Sequence, residues 1–539
     1  MLRFNWLNSL RSLMHTTDGR RKPAGKRRRD RAVLQTVTGE VARATQQLET
    51  RALLAFNVTI DGSGNLVIND AAGTNDDLTI KSDTTANLFR ISDTAQTFTT
   101  AISGATGSGT SSITVPFTAV TGANIQISGQ NGDDSLTVDL SLGNFAKSVI
   151  FNAGLQTTRD MLTVTGGGTF TSVSHSFTNN TDGFINITGN SQIEYGSLDS
   201  TSILTDNLSA TNRGFTGNAS AKTITVTDAT GANMSIDSNL AAAVTFANPL
   251  STLTITAGTG TVNDTVTITS LDAAFTGSLT IDGGAGTDTV NLTPAISLGS
   301  LSIDNSETTN LNSGTVTTSG AQSYSGAVTL GAATTLNSNG GDSVFGGTPA
   351  GGSKNMTIAS GTDAGTTTFT GAVSGIGDGT GAAITIDSTG LARFMSTVGG
   401  ASGIVSSSSS GSTQFDGNVT LTNGTAASSF AGMTTLDGLT WSGYDGLTFT
   451  GAVTMSSGAV SLNSNGGNIL LSSTLNGAQT VTLNAGSAGN ITVSGTIGNV
   501  TPLAALNAGS THGLHIGRGK AENAKHLRTR VLTSAENCQ

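Results

Sequence analysis

Leu253-Thr254-Ile255, Val266-Thr267-Ile268, Leu279-Thr280-Ile281 and, past Asp288, Thr289-Val290-Asn291-Leu292 follow one another closely, joined by links rich in Gly, Asp, Ala and Thr. The same apolar-Thr-apolar pattern stands at Leu78-Thr79-Ile80, Leu136-Thr137-Val138 and Ile224-Thr225-Val226, with related runs at Asn57-Val58-Thr59-Ile60 and Leu66-Val67-Ile68. Alternation with period two marks a strand that buries one face. Starts recur about every 8–15 residues, too close for helical crossovers, and the body carries no capped amphipathic helix. The chain reads as all-β.

Longer segments repeat. Asp134-Ser135-Leu136-Thr137-Val138 aligns with Asp264-Thr265-Val266-Thr267-Ile268, then Phe145 with Phe275, Val149 with Leu279, and the Asp160 turn with the Asp288 turn. Upstream, Leu78–Leu88 matches Ile224–Met234 at a longer offset, which places a Gly/Ser insertion around Gly107 to Ser112. A third repeat pairs Gly326-Ala327-Val328 and Leu336-Asn337-Ser338-Asn339-Gly340-Gly341 with Gly451-Ala452-Val453 and Leu462-Asn463-Ser464-Asn465-Gly466-Gly467. Repetition on this scale indicates a modular array.

Short strands with Gly punctuation suit a right-handed parallel β-helix or solenoid, and also tandem β-sandwiches. The 539 residues include 71 Gly but only 6 Pro and few aromatics, which favours the solenoid, since sandwich cores are usually richer in aromatics. In that reading small Thr, Val, Ala and Asn side chains form the inward ladders and Gly takes the corners.

Charge falls into three zones: residues 1–51 hold 12 Lys/Arg against 4 Asp/Glu, residues 52–510 hold 8 against 29, and the remainder 5 against 2. An acidic body argues against nucleic acid or an anionic membrane as partner, because phosphate binding needs clustered cations. No run reaches the roughly 18–20 apolar residues of a membrane-spanning helix. The lone Cys538 gives the body neither disulfide nor thiol chemistry.

The basic head has no clean signal-peptide core, and nucleic-acid binding is the competing reading of its Arg run. Past the head, Gln47-Leu48-Glu49-Thr50-Arg51-Ala52-Leu53-Leu54-Ala55 resembles the LEPR-xLL motif of large exported proteins of planctomycete-type bacteria, with Thr50 where Pro is usual. The resemblance assigns an export or sorting role to Leu48, Glu49, Arg51, Leu53 and Leu54. Val481-Thr482-Leu483-Asn484-Ala485-Gly486 and Ile491-Thr492-Val493-Ser494-Gly495-Thr496-Ile497-Gly498, with the Gly451 and Leu462 segments, resemble the filamentous-haemagglutinin and autotransporter type of β-helix. That likeness implies an extracellular or cell-surface, outer-membrane-associated stalk used in adhesion or self-association.

Candidate chemistry is sparse. Gly132-Asp133-Asp134, Asn75-Asp76-Asp77, Asn263-Asp264 and Asp282-Gly283-Gly284-Ala285-Gly286-Thr287-Asp288 resemble calcium β-roll turns, so Asp133, Asp134, Asp264, Asp282 and Asp288 are the candidate metal ligands and calcium the one candidate cofactor. Plain Asp/Gly turns account for the same residues. The body's single histidine, His175, reads as a solvent-facing polar residue, and Trp441 and Tyr444 as packing residues, with sugar stacking the competing reading.

The expected organisation is a disordered basic export segment (1–55), β-repeat units over 56–200 and 201–320, haemagglutinin-like repeats over 321–510, and a strandless, disordered or aberrant tail (511–539). The expected function is non-enzymatic: an exported structural or adhesion protein whose partners are surface or matrix polysaccharide or protein, or itself. The alternatives are a carbohydrate-active β-helix enzyme (polysaccharide lyase or hydrolase) and a calcium-dependent aggregation module.

Overall fold

The computed structural model describes residues 56–516, apart from 72, 240, 361–363, 401 and 423–424, together with the backbone of Leu527–Val531. Strands are two to nine residues long, and the alternation read from the sequence is the alternation of burial. In Thr252–Thr256, for example, Leu253 and Ile255 are buried while the three threonines are half-buried.

Successive strands stack in parallel register, most often apolar residue on apolar residue. Leu253 lies beside Leu279 and Leu279 beside Leu301; Val266 lies beside Val290 and Val290 beside Thr309. Two such ladders wind through the described chain. A third, of eleven strands, begins at Ile296–Leu298 and reaches Gly513–Ile516, so the coil changes from two-sided to three-sided there. Along it Ile296 sits beside Val316 and Val316 beside Leu336, twenty residues per coil. This is a β-solenoid. The sandwich alternative fails because the ladders never break into separate cores: Met161 pairs with Ile203 across position 200, and Leu301 with Gln322 across position 320. No helix among the described residues is long and apolar enough to cross a membrane.

Three antiparallel meanders interrupt the parallel stacking: Asp77–Asp83 with Leu88–Asp93 and Ser112–Pro116, Thr169–Phe177 with Gly183–Ile187 and Ile193–Gly196, and Thr223–Ala229 with Asn233–Ser238 and Ala243–Ala247. The first and third contain the matching segments Leu78–Leu88 and Ile224–Met234 read from the sequence, and each folds as an antiparallel hairpin. The Gly107–Ser112 insertion folds over Phe98: the amide of Phe98 donates to Thr110 O (2.9 Å), Gly109 N donates to Phe98 O (2.7 Å), and the Phe98 ring stacks on Phe56 at 5.3 Å.

The two Ser-Asn-Gly-Gly segments make the same turn. Asn339 and Gly340 have φ of 43° and 93°, Asn465 and Gly466 of 46° and 109°, and in each the closing Gly amide donates to the Ser carbonyl. Only Gly and, at lower cost than most residues, Asn accept that left-handed backbone. The two turns occupy different corners, however. Leu336 belongs to the third ladder and Leu462 to the second, so this repeat marks a turn and not a coil position.

Two expectations need correction. The inward ladders consist of Leu, Ile, Val and Phe, and threonine mostly faces outward; Thr309, Thr318, Thr334, Thr367, Thr413 and Thr434 are among the buried exceptions. Aromatics are few but concentrated: Tyr324, Phe345, Phe369, Phe394 and Phe415 form an inward stack with centroids 4.8, 4.7, 4.9 and 5.0 Å apart. That spacing is the inter-strand distance itself, about 4.8 Å, because each ring is supplied by the strand one coil further on. The second correction concerns the tail. Gly513–Ile516 continues the third ladder beside Asn490–Val493, where Leu514 and Ile516 still supply alternating apolar residues, and the backbone of Leu527–Val531 continues the second beside Ala505–Ser510.

Removing one ring from the stack leaves a cavity that the neighbouring rungs cannot close. Phe369→Ala is expected to cost about 3–5 kcal/mol in guanidinium unfolding, and Thr280→Ala on the outer face less than about 0.5 kcal/mol. Equal effects would contradict the inward assignment.

Candidate functional site

Three of the five candidate acidic residues, Asp134, Asp264 and Asp288, gather at one corner of the coil, immediately before the strands of the second ladder. There each carboxyl accepts the amide of the residue one rung back. Asp76 N donates to Asp134 Oδ1 (3.1 Å) and Asp134 N to Asp160 Oδ1 (2.8 Å). In the second copy Lys222 N donates to Asp264 Oδ1 (2.9 Å), Asp264 N to Asp288 Oδ1 (2.7 Å) and Asp288 N to Glu307 Oε2 (2.6 Å). Asp134, Asp264 and Asp288 are therefore corner struts that replace a backbone acceptor. Asp133 and Asp282 lie outside that column. Asp133 accepts amides from Thr157, Thr158 and Arg159 and the Thr157 hydroxyl; Asp282 accepts Gly284 N and Asn305 Nδ2. No three Asp, Glu, His or Cys side chains among the described residues converge in a geometry that holds a metal ion.

The column carries an electrostatic asymmetry. The Oδ2 atoms of Asp76, Asp134, Asp160 and Asp288 are buried without a partner. Burial, followed by the like charges of Asp70, Asp134 and Asp93, pushes Asp76 up to about 8. Burial likewise raises Asp134 to about 7, against the pull of the Asp76 amide, and raises Asp160. The second copy has a cation in the column: Lys222 Nζ lies 3.5 Å from Asp264 Oδ1 and donates to Asn218 O at 2.7 Å. Asp133, outside the column, is held at about 2, first by the Thr158 amide.

A second constellation had no motif to announce it. His175, Asp206 and Arg213 sit together inside the solenoid, each 0–1 % exposed. His175 Nε2 is 2.9 Å from Asp206 Oδ2, and Arg213 bridges both Asp206 oxygens, donates to Leu208 O, and through Nε donates to Ala247 O at 2.8 Å. His175 stacks on Phe215 at 5.1 Å and Arg213 lies over Phe246 at 5.7 Å. Burial opposes ionisation of Asp206, but the His175 bond and the Arg213 charge outweigh it and hold the carboxyl below its usual range. The solvent-facing reading of His175 is thus corrected: strand Thr169–Phe177 turns it inward, where Nε2 meets Asp206 and Nδ1 is buried without a partner. His175 and Arg213, 38 residues apart and in no motif, gave no signal of this.

Trp441 is buried edge-on against Phe415 and Phe430, while Tyr444 is exposed on a turn. Leu48, Glu49, Arg51, Leu53 and Leu54, the whole 1–55 segment and Cys538 lie outside the described residues.

Two outcomes test these assignments. Raised native pKa values mean that the Asp76–Asp134–Asp160 column contributes its full stability below the ordinary carboxyl value near 3.8 and loses it as pH rises through about 7 to 8. Amide protection of residues 70–165 is expected to fall between about pH 4 and 8 and to level off above that, and Asp76→Asn/Asp134→Asn, which keeps the acceptor but cannot ionise, to flatten that fall; an unchanged profile would refute the column. Asp206→Ala, which strands Arg213 in the core, is expected to cost about 3–5 kcal/mol in denaturant unfolding, and a loss under about 1 kcal/mol would mean that the charge is not buried. Comparison of the chain with family models, curated proteins and solved structures finds no match.

Proposed function

We propose that the chain is an exported, non-enzymatic structural or adhesive module of a bacterial cell surface, acting through the repeated outer faces of its solenoid. One observation carries this reading: outward residues line up rung on rung as rows of small polar groups. Thr79, Thr137, Thr163, Thr205 and Thr245 form one row; Thr225, Thr267, Asn291, Asn310 and Thr329 form another; Thr254, Thr280, Ser302 and Ser323 a third. Each row offers a small polar hydrogen-bonding side chain at intervals of about 4.8 Å. Weak contacts repeated at that interval sum to strong attachment to a partner that is itself repetitive, such as a polysaccharide or a second solenoid.

The enzyme alternative needs acid pairs facing a cleft. The paired carboxyls here are corner struts engaged with backbone amides, and the His175, Asp206 and Arg213 cluster is sealed from solvent. Neither arrangement leaves a group free to touch a substrate. Export rests on the resemblance of the 47–55 segment to the LEPR-xLL signal.

In fractionated host cells the chain is expected in the envelope or the medium, and the purified full chain is expected to sediment saturably with isolated envelopes or with itself. Cytoplasmic retention together with no sedimentation would overturn the proposal.

A further inference from the structure

Resting on the adhesive reading, we infer that the second meander carries a discrete saccharide site centred on Phe184. Almost every aromatic ring among the described strands is buried or packs on the core. Phe184 is the exception: it stands half-buried on the outer face of Gly183–Ile187 and is not part of the core cluster. Across the sheet it pairs with Glu194, which in turn pairs with Ile150, so an aromatic ring, a carboxylate and an aliphatic chain form one outward row.

The row lies in an open groove of about 580 Å³, within the range of small-ligand sites, roughly 300–1,000 Å³. Gly196 contributes no side chain to its wall, which leaves room between Asn152 and Asp182. Polar groups flank the row on both sides. Gln192 Nε2 donates to Asn186 Oδ1 at 3.0 Å on one side, and Ser197 Oγ donates to Asn152 Oδ1 at 3.1 Å on the other. The Asp182 carboxylate is already engaged by Asn179, Thr181 and the Ser197 amide, so Glu194 is the acid free to meet a ligand.

This combination matches the two faces of a sugar ring. A pyranose presents a flat array of C–H groups that packs on an aromatic face, and a rim of hydroxyls that both donate and accept. Side-chain amides and a carboxylate are the groups that answer such a rim, since amides offer both roles and a carboxylate accepts two hydroxyls. No lysine or arginine lines the groove. Glu194 therefore disfavours uronate or sulfated chains, and the ligand class is a neutral hexose or N-acetylhexosamine oligosaccharide.

Calorimetry on the full chain tests this with neutral hexose and N-acetylhexosamine oligosaccharides and a uronate oligomer of equal length. A neutral oligosaccharide is expected to bind and the uronate to bind more weakly. Phe184→Ala is expected to lower the affinity by about tenfold or more, about 1.4 kcal/mol, and Val500→Ala, at an exposed bend outside both the groove and the outward rows, to leave it unchanged. Glu194→Gln, which alters one charge and no ring, is expected to narrow the preference against the uronate, and gives a readout even if Phe184→Ala fails to fold. Absence of binding by every neutral oligosaccharide, or binding that neither variant alters, would overturn the site. Envelope sedimentation by the Phe184→Ala chain separates the two claims: sedimentation without any oligosaccharide binding would sink the groove and leave the adhesive reading standing.

Discussion

Parallel, in-register pairing between coils decides what every position in this chain can be. Each inward residue meets its counterpart one rung away at about 4.8 Å, so whatever a position holds it must hold against itself. Apolar residues satisfy that condition readily, and the Tyr324 to Phe415 stack is its fullest expression. Threonines satisfy it on the outside, where a small polar side chain stacks on another without leaving water. Carboxyls do not. Where Asp76, Asp134 and Asp160 stack at a corner, Asp134 and Asp160 each accept the amide of the residue one rung back and Asp76 accepts the Gln96 side-chain amide, yet burial beside like charges raises the affinity of the column for protons. The second copy keeps the same amide bonds and places Lys222 at the head of the column.

Much of the architecture is legible in the amino-acid string because period two survives folding intact. Leu253, Ile255, Leu279 and Ile281 point inward as the alternation requires, and the Asp134 and Asp264 segments occupy equivalent places in the same ladder. The third repeat was less informative. Leu336 to Gly341 and Leu462 to Gly467 share a left-handed Asn-Gly turn, and a turn is a local solution that any corner can use. Sequence similarity there reports backbone conformation and says little of the rung. Threonine was misplaced for a related reason: it is small enough for an inward ladder, but with Leu, Ile and Val alternating beside it the larger apolar side chain takes the interior.

The functional groups were harder to read. Asp133 and Asp134 are adjacent in sequence, yet one lies in a turn cradled by amides and the other in a buried column, a difference set by which neighbour faces the coil interior. The His175, Asp206 and Arg213 cluster is brought together from three strands, Thr169–Phe177, Ile203–Asp206 and Ser209–Thr216, and no spacing rule anticipates it. Phe184 gave no signal either, because an outward aromatic looks like any strand residue until its neighbours are known. What unites these features is the scaffold: a rigid, repetitive stack can tolerate a buried charge cluster or an exposed ring at one rung because the adjacent rungs hold the register.

The central claim is the rung-by-rung parallel register. Pulsed electron paramagnetic resonance between spin labels replacing Thr335 and Thr448, with Cys538 substituted, reads it directly. The two positions lie on one outward row of the third ladder, five coils apart through Thr357, Thr385, Val405 and Ser429. A narrow distribution centred near 24 Å, five steps of about 4.8 Å, is the expected result; a broad distribution, or a centre far from that distance, would contradict the solenoid register on which the rest of the account stands.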